Sequence, residues 1–210
     1  MPCNRPAIRP WRSTLAAPHD HQVVSFNSEQ LILVDPDDRE VGHVSKAEAH
    51  AGQGVLHRAF SLFLFNPAGE LLLQQRAPGK PLWPGYWANS CCSHPRQGED
   101  MQTATQRRLK EELGVTCPLE YVFKFQYHAE YGQAGSEFEL CWVYLGTSSD
   151  PVHTNATEVA AWRYIAPDAL DREIAADPDR FTPWLKLEWQ RLRGEFGHRL
   201  PRQDSGSPGR

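Results

Sequence analysis

The run Arg58-Ala59-Phe60-Ser61-Leu62-Phe63-Leu64-Phe65, closed by Asn66-Pro67-Ala68-Gly69, limits the fold more tightly than any other stretch. A short, nearly unbroken apolar run that ends in turn residues reads as a strand buried on both faces. The turn sends the chain back through Glu70 to Arg76, which makes a hairpin. Upstream, Leu31-Ile32-Leu33-Val34 runs into the turn-forming Asp35-Pro36-Asp37-Asp38, and Ser45 to Ala51 reads as a short helix stopped by Gly52 and Gly54. Pro78, Pro81, Pro84, Gly79 and Gly85 make Ala77 to Asn89 a loop carrying Trp83, Tyr86 and Trp87. Glu99 to Leu113 has helical spacing and ends at Gly114 in the C-cap position. Strands are expected at Leu119 to His128, Glu137 to Gly146 and Glu158 to Ile165, and helices at Ala166 to Ala175 and Phe181 to Glu195. This order, with no internal repeat, predicts an α+β domain with a mixed sheet rather than a doubly wound one.

The chain has 210 residues, enough for one domain with a sizeable core. The expected organisation is a single domain over residues 23–200, with flexible tails at 1–22 and 201–210. Arg5, Arg9 and Arg12 without an acid resemble a transit peptide faintly, but Pro2, Pro6 and Pro10 oppose the helix it would need. A net charge of -4 argues against a general nucleic-acid partner, and no apolar run is long enough to span a membrane. The five cysteines are odd in number and form no CxxC, so neither a disulfide framework nor a zinc ribbon is expected, and a cytoplasmic setting is. The assembly expected is a monomer or homodimer.

Four groups of residues carry candidate chemistry. On the helix, Leu109 and Leu113 mark the buried stripe, so Glu112 and Arg108 lie on its flank and Glu111 faces solvent. If this helix builds a site, Glu112 is its carboxylate; the alternative is an ordinary exposed helix with i,i+4 ion pairs. Glu137 and Glu139 share one face of a strand, where paired carboxylates repel unless a cation lies between them. His50, His57 and His94 with these two acids make a five-ligand set suited to Mn, Fe, Zn or Mg. His19, His21, His43, His128, His153 and His198 are read as structural or surface residues. Lys46, Arg76, Lys80 and Arg108 form an anion-binding set, in which a guanidinium can fork onto one phosphate and an ammonium approach another.

These groups occur in an order that includes Lys46 to His50, His57 to Phe60, Arg76-Ala77, Lys80, Trp83-Pro84-Gly85 with Trp87, and Asn89-Ser90-Cys91-Cys92-Ser93-His94-Pro95. Gly98-Glu99, Arg107-Arg108, Glu112 to Val115, Tyr127, Glu137 with Glu139, and Pro183-Trp184 complete it. The pattern, from about Gln30 to Trp189, resembles the type I isopentenyl-diphosphate isomerases, which are built on the Nudix fold, a mixed sheet sandwiched by helices. Against the Nudix box, Glu99 and Arg107 are in register, whereas Arg108 stands in place of a glutamate and Ser93 in place of the opening glycine. Cys91 stands where an aliphatic residue is usual. A Nudix-type pyrophosphohydrolase, the alternative function, needs the glutamate that Arg108 replaces.

The resemblance implies interconversion of isopentenyl and dimethylallyl diphosphate, a small-molecule diphosphate being the partner. It assigns Cys92 and Glu139 as the proton-transfer pair, Tyr127 as the helper of Glu139, and Trp184 as the ring facing the carbocation. It implies a first divalent ion (Mn, Zn or Mg) on His50, His57, His94, Glu137 and Glu139, and a Mg ion on Glu112, the Cys92 carbonyl and the diphosphate. Lys46, Arg76, Lys80 and Arg108 become the diphosphate clamp. Trp83 and Trp87 are expected to form a dry lid, and the cationic surroundings to lower the Cys92 thiol pKa towards neutrality.

Overall fold

A computed structural model describes residues 22–202 of the chain. The expected tail over 1–22 lies outside these residues except for Gln22, as do His19, His21 and most of the expected tail beyond 200. The chain forms β1 (Gln30–Val34), β2 (Glu40–Ser45), α1 (Lys46–Ala49), β3 (His57–Phe65), β4 (Leu71–Arg76), β5 (Trp87–Ala88) and β6 (Cys91–Ser93). It continues with α2 (Met101–Leu113), β7 (Leu119–Glu130), β8 (Ser136–Thr147), β9 (Val159–Ile165), α3 (Pro167–Ala176) and α4 (Pro183–Glu195). This is the α+β arrangement expected. Strands β2 and β6, together with the two-residue β5 inside the tryptophan-bearing loop, were not expected.

The sheet is mixed. β3 pairs with β8 in parallel and with β1, β4 and β6 antiparallel; β7 runs antiparallel to β8, and β9 to β4. The alternation of side chains along β3 divides the core. Phe60, Leu62 and Leu64 pack with Ala104, Leu109 and Leu113 of α2. Phe63 and Phe65 pack with Leu170 of α3 and with Leu185, Trp189 and Leu192 of α4. Helices therefore cover both faces, which is why the β3 run needed no polar side. Among the described residues, no helix is long and apolar enough to cross a membrane.

Two helices that position the site, α1 and α2, are capped by their own sequence. Ser45 closes a capping box with Glu48 on α1, the Asp100 side chain accepts from the Thr103 N–H at 2.7 Å at the start of α2, and Gly114 ends α2 in the left-handed region at φ 68°. Ser93 lies in the extended strand β6, so the residue that replaces the glycine of the Nudix box meets no backbone strain. At Trp83, φ is 46°, an unfavourable value for a large side chain. Its ring is held against Trp184 and Tyr131, with centroids 5.3 and 5.0 Å away.

Gly135, with φ 137°, leads into β8 so close to α1 that a Cβ there would lie 2.2 Å from the His50 carbonyl oxygen. The next N–H, of Ser136, donates to that oxygen at 3.0 Å. Gly135→Ala is expected to destabilise the fold by about 1–3 kcal/mol and to lower Tm by about 2–4 °C per kcal/mol. Thermal melts against a surface control, Gly79→Ala, check this; an unchanged Tm would refute the contact.

Candidate active site

Strand register builds the centre of the site. Glu139 of β8 lies opposite His57 of β3 on one side and Tyr127 of β7 on the other. Its carboxylate accepts from Tyr127 Oη at 2.6 Å, while the other oxygen lies 2.8 Å from His94 Nε2 and 3.7 Å from His57 Nε2. Glu137, two residues earlier on the same face, lies 2.9 Å from His50 Nε2. Both acids are buried, at 7% exposure. His50 ends α1 and His94 follows β6, so three separate elements deliver the imidazoles to one point. The five residues expected to hold a divalent ion thus each offer a ligand atom within 4.8 Å of the others.

Their chemistry fits a cation. The Nδ1 atoms of His50 and His57 each lie 2.7 Å from a backbone carbonyl, of Lys46 and Val55. Donation there leaves both Nε2 lone pairs facing the cluster. His57 Nε2 is buried with no hydrogen-bond partner among the described residues, as suits an atom awaiting a Lewis acid. Burial works against a charge on His50, but the Glu137 carboxylate outweighs it and raises the imidazole pKa. His94 goes the other way: burial, then the neighbouring His57 and His50, hold it far below its ordinary value and therefore neutral. Burial opposes ionisation of Glu139 too, but the neighbouring His57, 3.7 Å away, and then the Tyr127 hydrogen bond hold its carboxyl below the ordinary range.

A cavity of about 280 Å³ joins this cluster to the expected anion clamp. Cys92, Tyr127, Glu137, Glu139 and Trp184 line it together with Lys46, Arg76, Lys80 and Arg108. The four cations are not equivalent. Arg76 is buried and donates to the Leu82 and Trp83 carbonyls, its guanidinium lying 5.1 Å from the Trp184 ring centroid. Lys46 donates to Ser25 Oγ; burial, then repulsion from Lys80 and Arg108, lowers its pKa to about 8. Lys80 and Arg108 instead pair with Glu158, at 2.5 and 3.4 Å, and Arg108 donates to Glu112 at 2.6 Å. Burial notwithstanding, Lys80 and Arg108 draw the Glu158 pKa down to about 2. Glu158 was expected only as the start of a strand; it is the counter-ion of half the clamp.

Cys92 is partly buried and lines the cavity, while Cys91 on the other face of β6 is packed against α2. Cys92 Sγ donates to Asn89 Oδ1 at 2.7 Å and accepts from Trp184 Nε1 at 3.2 Å and Ser61 Oγ at 3.6 Å. Its pKa departs from the expectation: burial, then the Glu188 carboxyl, raises the thiol well above its ordinary value. The Ser61 hydrogen bond, and after it the Arg76 guanidinium, act in the other direction.

Two further expectations are corrected. Trp83 packs with Trp184 at the cavity, but Trp87 belongs to the core on the α4 side, under the Arg163 guanidinium at 4.7 Å, and forms no part of a lid. Glu111 does not simply face solvent: its carboxylate accepts from both Arg107 and Arg108 at 3.2 Å. Glu188 was missed. It occupies the apolar stripe of α4 with Leu185, Trp189 and Leu192, all fully or nearly fully buried; an acid at such a position was the signal available in the sequence.

Residues 55–185 match the NUDIX domain family. The chain is 43% identical to isopentenyl-diphosphate Delta-isomerase 1 of Photorhabdus laumondii over 163 residues, covering 77% of this chain and 93% of that protein. It is 46% identical to the isopentenyl-diphosphate Delta-isomerase of Nocardia farcinica over 154 residues, covering 73% and 88%. Among solved structures, DR0079 of Deinococcus radiodurans aligns with TM-score 0.62 at 23% identity, covering 83% of this chain and all of that one. A MutT protein of Methanosarcina mazei aligns with TM-score 0.55 at 15% identity, covering 67% and 95%. At those identities the two structures speak for the fold alone.

A divalent ion at the His–Glu cluster is expected to stabilise the fold by about 2.7 kcal/mol at a hundredfold excess over Kd. Treatment with a chelator should lower Tm, and Mn, Zn or Mg should restore it in wild type but not in His57→Ala. A Tm indifferent to chelator and ions in wild type would refute the site. Burial pushes the Glu188 carboxyl up to about 8 from an ordinary 4.5. The folded chain therefore keeps a proton that the unfolded chain releases, and stability falls as pH rises from about 4.5 to about 8, then levels. Urea unfolding of Glu188→Gln should lack this slope, so that its stability relative to wild type rises with pH.

Proposed function

The chain belongs to the isopentenyl-diphosphate Delta-isomerases, with their NUDIX domain, and we propose that it interconverts isopentenyl and dimethylallyl diphosphate by adding one proton and removing another. The observation that carries this reading is the meeting, in one cavity, of a thiol and a hydrogen-bonded Tyr127–Glu139 pair, with cations at hand for a diphosphate. A hydrolase has no use for that thiol, and Arg108, buried between Glu112 and Glu158, stands where it needs a carboxylate.

The substrate alkene is barely basic, so its protonation creates tertiary carbocation character that water would trap. The Tyr127–Glu139 pair, in which the phenol carries the proton and the carboxylate accepts its hydrogen bond, delivers that proton to the terminal methylene. Burial and the charge of Glu139 keep the Tyr127 phenol protonated, so it remains a donor. Trp184 turns its ring system to the cavity and, with Trp83, excludes water. Cys92 Sγ then takes the proton from the carbon next to the diphosphate-bearing carbon, and the double bond forms there. Each turnover leaves Cys92 with one proton more and the Tyr127–Glu139 pair with one fewer, a difference that must be restored before the next.

Arg76 and Lys46, which have no acidic partner within ion-pair distance among the described residues, bind the diphosphate first. Lys80 and Arg108 contribute as Glu158 shares its charge between them. His50, His57, His94, Glu137 and Glu139 would hold one divalent ion (Mn, Zn or Mg), and Glu112 with the Cys92 carbonyl would hold a Mg ion with the diphosphate; these ions would supply positive charge that favours the diphosphate and the thiolate. The free cysteines Cys91, Cys92, Cys117 and Cys141 accord with a reducing, cytoplasmic setting.

Incubation with isopentenyl diphosphate and Mg in deuterated water, followed by NMR, tests the reading. Wild type is expected to yield dimethylallyl diphosphate carrying deuterium, and Cys92→Ala to lose about a hundredfold or more in kcat. Release of phosphate or pyrophosphate without isomerisation would overturn it.

A further inference from the structure

Residues 22–29, ahead of β1, form a strap that is fastened to the cationic end of the cavity mainly by its own carbonyls. The Gln22 carbonyl accepts from Asn155 Nδ2 at 2.7 Å. The Val24 carbonyl accepts from Arg108 Nη1 at 3.0 Å and from Arg96 Nη2 at 3.4 Å. The Asn27 and Glu29 carbonyls accept from the Ala47 and Lys46 N–H groups at 3.1 and 2.8 Å, at the start of α1. The Glu29 carboxylate adds an ion pair to Arg96 at 2.6 Å. Val23 and Phe26 are exposed, so polar contacts rather than apolar burial hold the strap in place.

The cations beside the strap are short of free donors. Arg108 is 2% exposed. Its Nε and Nη2 donate to Glu112 at 3.1 and 2.6 Å, and Nη2 also lies 3.4 Å from Glu158. Its Nη1 donates to the Val24 carbonyl and, at 3.2 Å, to Glu111. A guanidinium has five N–H groups, so Arg108 offers a diphosphate its charge but no hydrogen bond while these partners stay. Arg76 spends donors on the Leu82 and Trp83 carbonyls, and Lys80 spends one on Glu158. A further cation would add repulsion where four already line one cavity. Neutral donors would satisfy phosphate oxygens without it.

Ser25 and Asn27 are placed to be those donors. Asn27 lines the cavity together with Lys46, and a carboxamide carries two N–H groups. Ser25 Oγ accepts from Lys46 Nζ, which leaves the hydroxyl hydrogen for another acceptor near the ammonium. We propose that the strap completes the diphosphate site: Ser25 and Asn27 donate to phosphate oxygens beside Lys46, and the bound diphosphate in turn fastens residues 22–27 to the clamp. The inference rests on the cavity being a diphosphate site. It adds two uncharged binding residues to the four cations, from a segment that precedes the first strand.

The test compares the full chain as wild type, Ser25→Ala, Asn27→Ala, the double variant, and Ser28→Ala as an exposed control on the same strap. Three quantities are read: Kd for inorganic pyrophosphate with saturating Mg by calorimetry, kcat and KM for isopentenyl diphosphate, and amide hydrogen exchange over residues 22–27 with and without pyrophosphate. The double variant should bind pyrophosphate about tenfold to a hundredfold more weakly, as befits donors lost to a charged acceptor. Its KM should rise with kcat unmoved, because the contact is made equally before and during reaction. Ser28→Ala should match wild type. In wild type, pyrophosphate should slow exchange in the strap.

A strap that merely occupied Lys46 and Arg108 would have to leave when the ligand arrives. Exchange over residues 22–27 would then quicken with pyrophosphate, Ser25→Ala would tighten binding by releasing Lys46, and the proposal would be overturned. An unchanged Kd in the double variant would overturn it as well. The exchange measurement on wild type decides the matter even if a variant does not fold. A wild type that binds pyrophosphate but does not isomerise would instead sink the functional reading, and the binding series would still settle the role of the strap.

Discussion

Ionised Glu139 is the interaction on which the site is built. A buried carboxylate is stable only with hydrogen bonds and opposite charge around it, and three strands cooperate to supply them. Parallel pairing sets His57 beside Glu139, antiparallel pairing sets Tyr127 on the other side, and β6 ends where His94 reaches the remaining lone pair. The groups that compensate the charge are those proposed to hold an ion and move a proton, so stability and the proposed chemistry make the same demand on β8. The tight passage of Gly135 under His50 follows from it: α1 must lie close enough to β8 for His50 to meet Glu137.

The clamp shows the same economy with the signs reversed. Four cations converge on one cavity, and their mutual repulsion would be severe without an anion. Glu158 and Glu112 take up Lys80 and Arg108, leaving Arg76 and Lys46 without an acidic partner among the described residues. Arg76 is fixed by backbone carbonyls instead of an acid, so its direction is set while its charge stays available. Lys46, whose pKa burial and then the other cations lower to about 8, is a member whose charge a nearby anion would favour.

Much of this was legible in the residues. The doubly buried run of β3, its hairpin, and the Gly114 stop of α2 followed from local rules, and the i,i+2 spacing of Glu137 and Glu139 put both acids on one face. What escaped depends on long-range contacts. Glu158 starts a strand in sequence, yet its role comes from Lys80, 78 residues away. Trp87 sits in the same loop as Trp83, but its two-residue strand turns it to the opposite core. Glu188 looked like one acid of a terminal helix because the strand residue it meets, Cys141 of β8, lies 47 residues upstream.

Proton placement in the protein alone also bears on direction. With Cys92 protonated and Glu139 ionised, the resting pair is charged for the reverse reaction, in which the thiol gives and the carboxylate takes. Turnover from isopentenyl diphosphate requires the opposite assignment at the sulfur, while the Tyr127 phenol is already a donor. Asn89 Oδ1 is held in place because its amide nitrogen donates to the Leu62 and Cys91 carbonyls, so it can only accept from the thiol and favours the protonated form. Trp184 N–H and Ser61 O–H favour the thiolate. The sulfur thus lies between one fixed acceptor and two donors, and the cations that arrive with substrate shift it towards the donors. On the proposed mechanism, a sulfur so balanced would be deprotonated mainly when a diphosphate and its ions lie beside it.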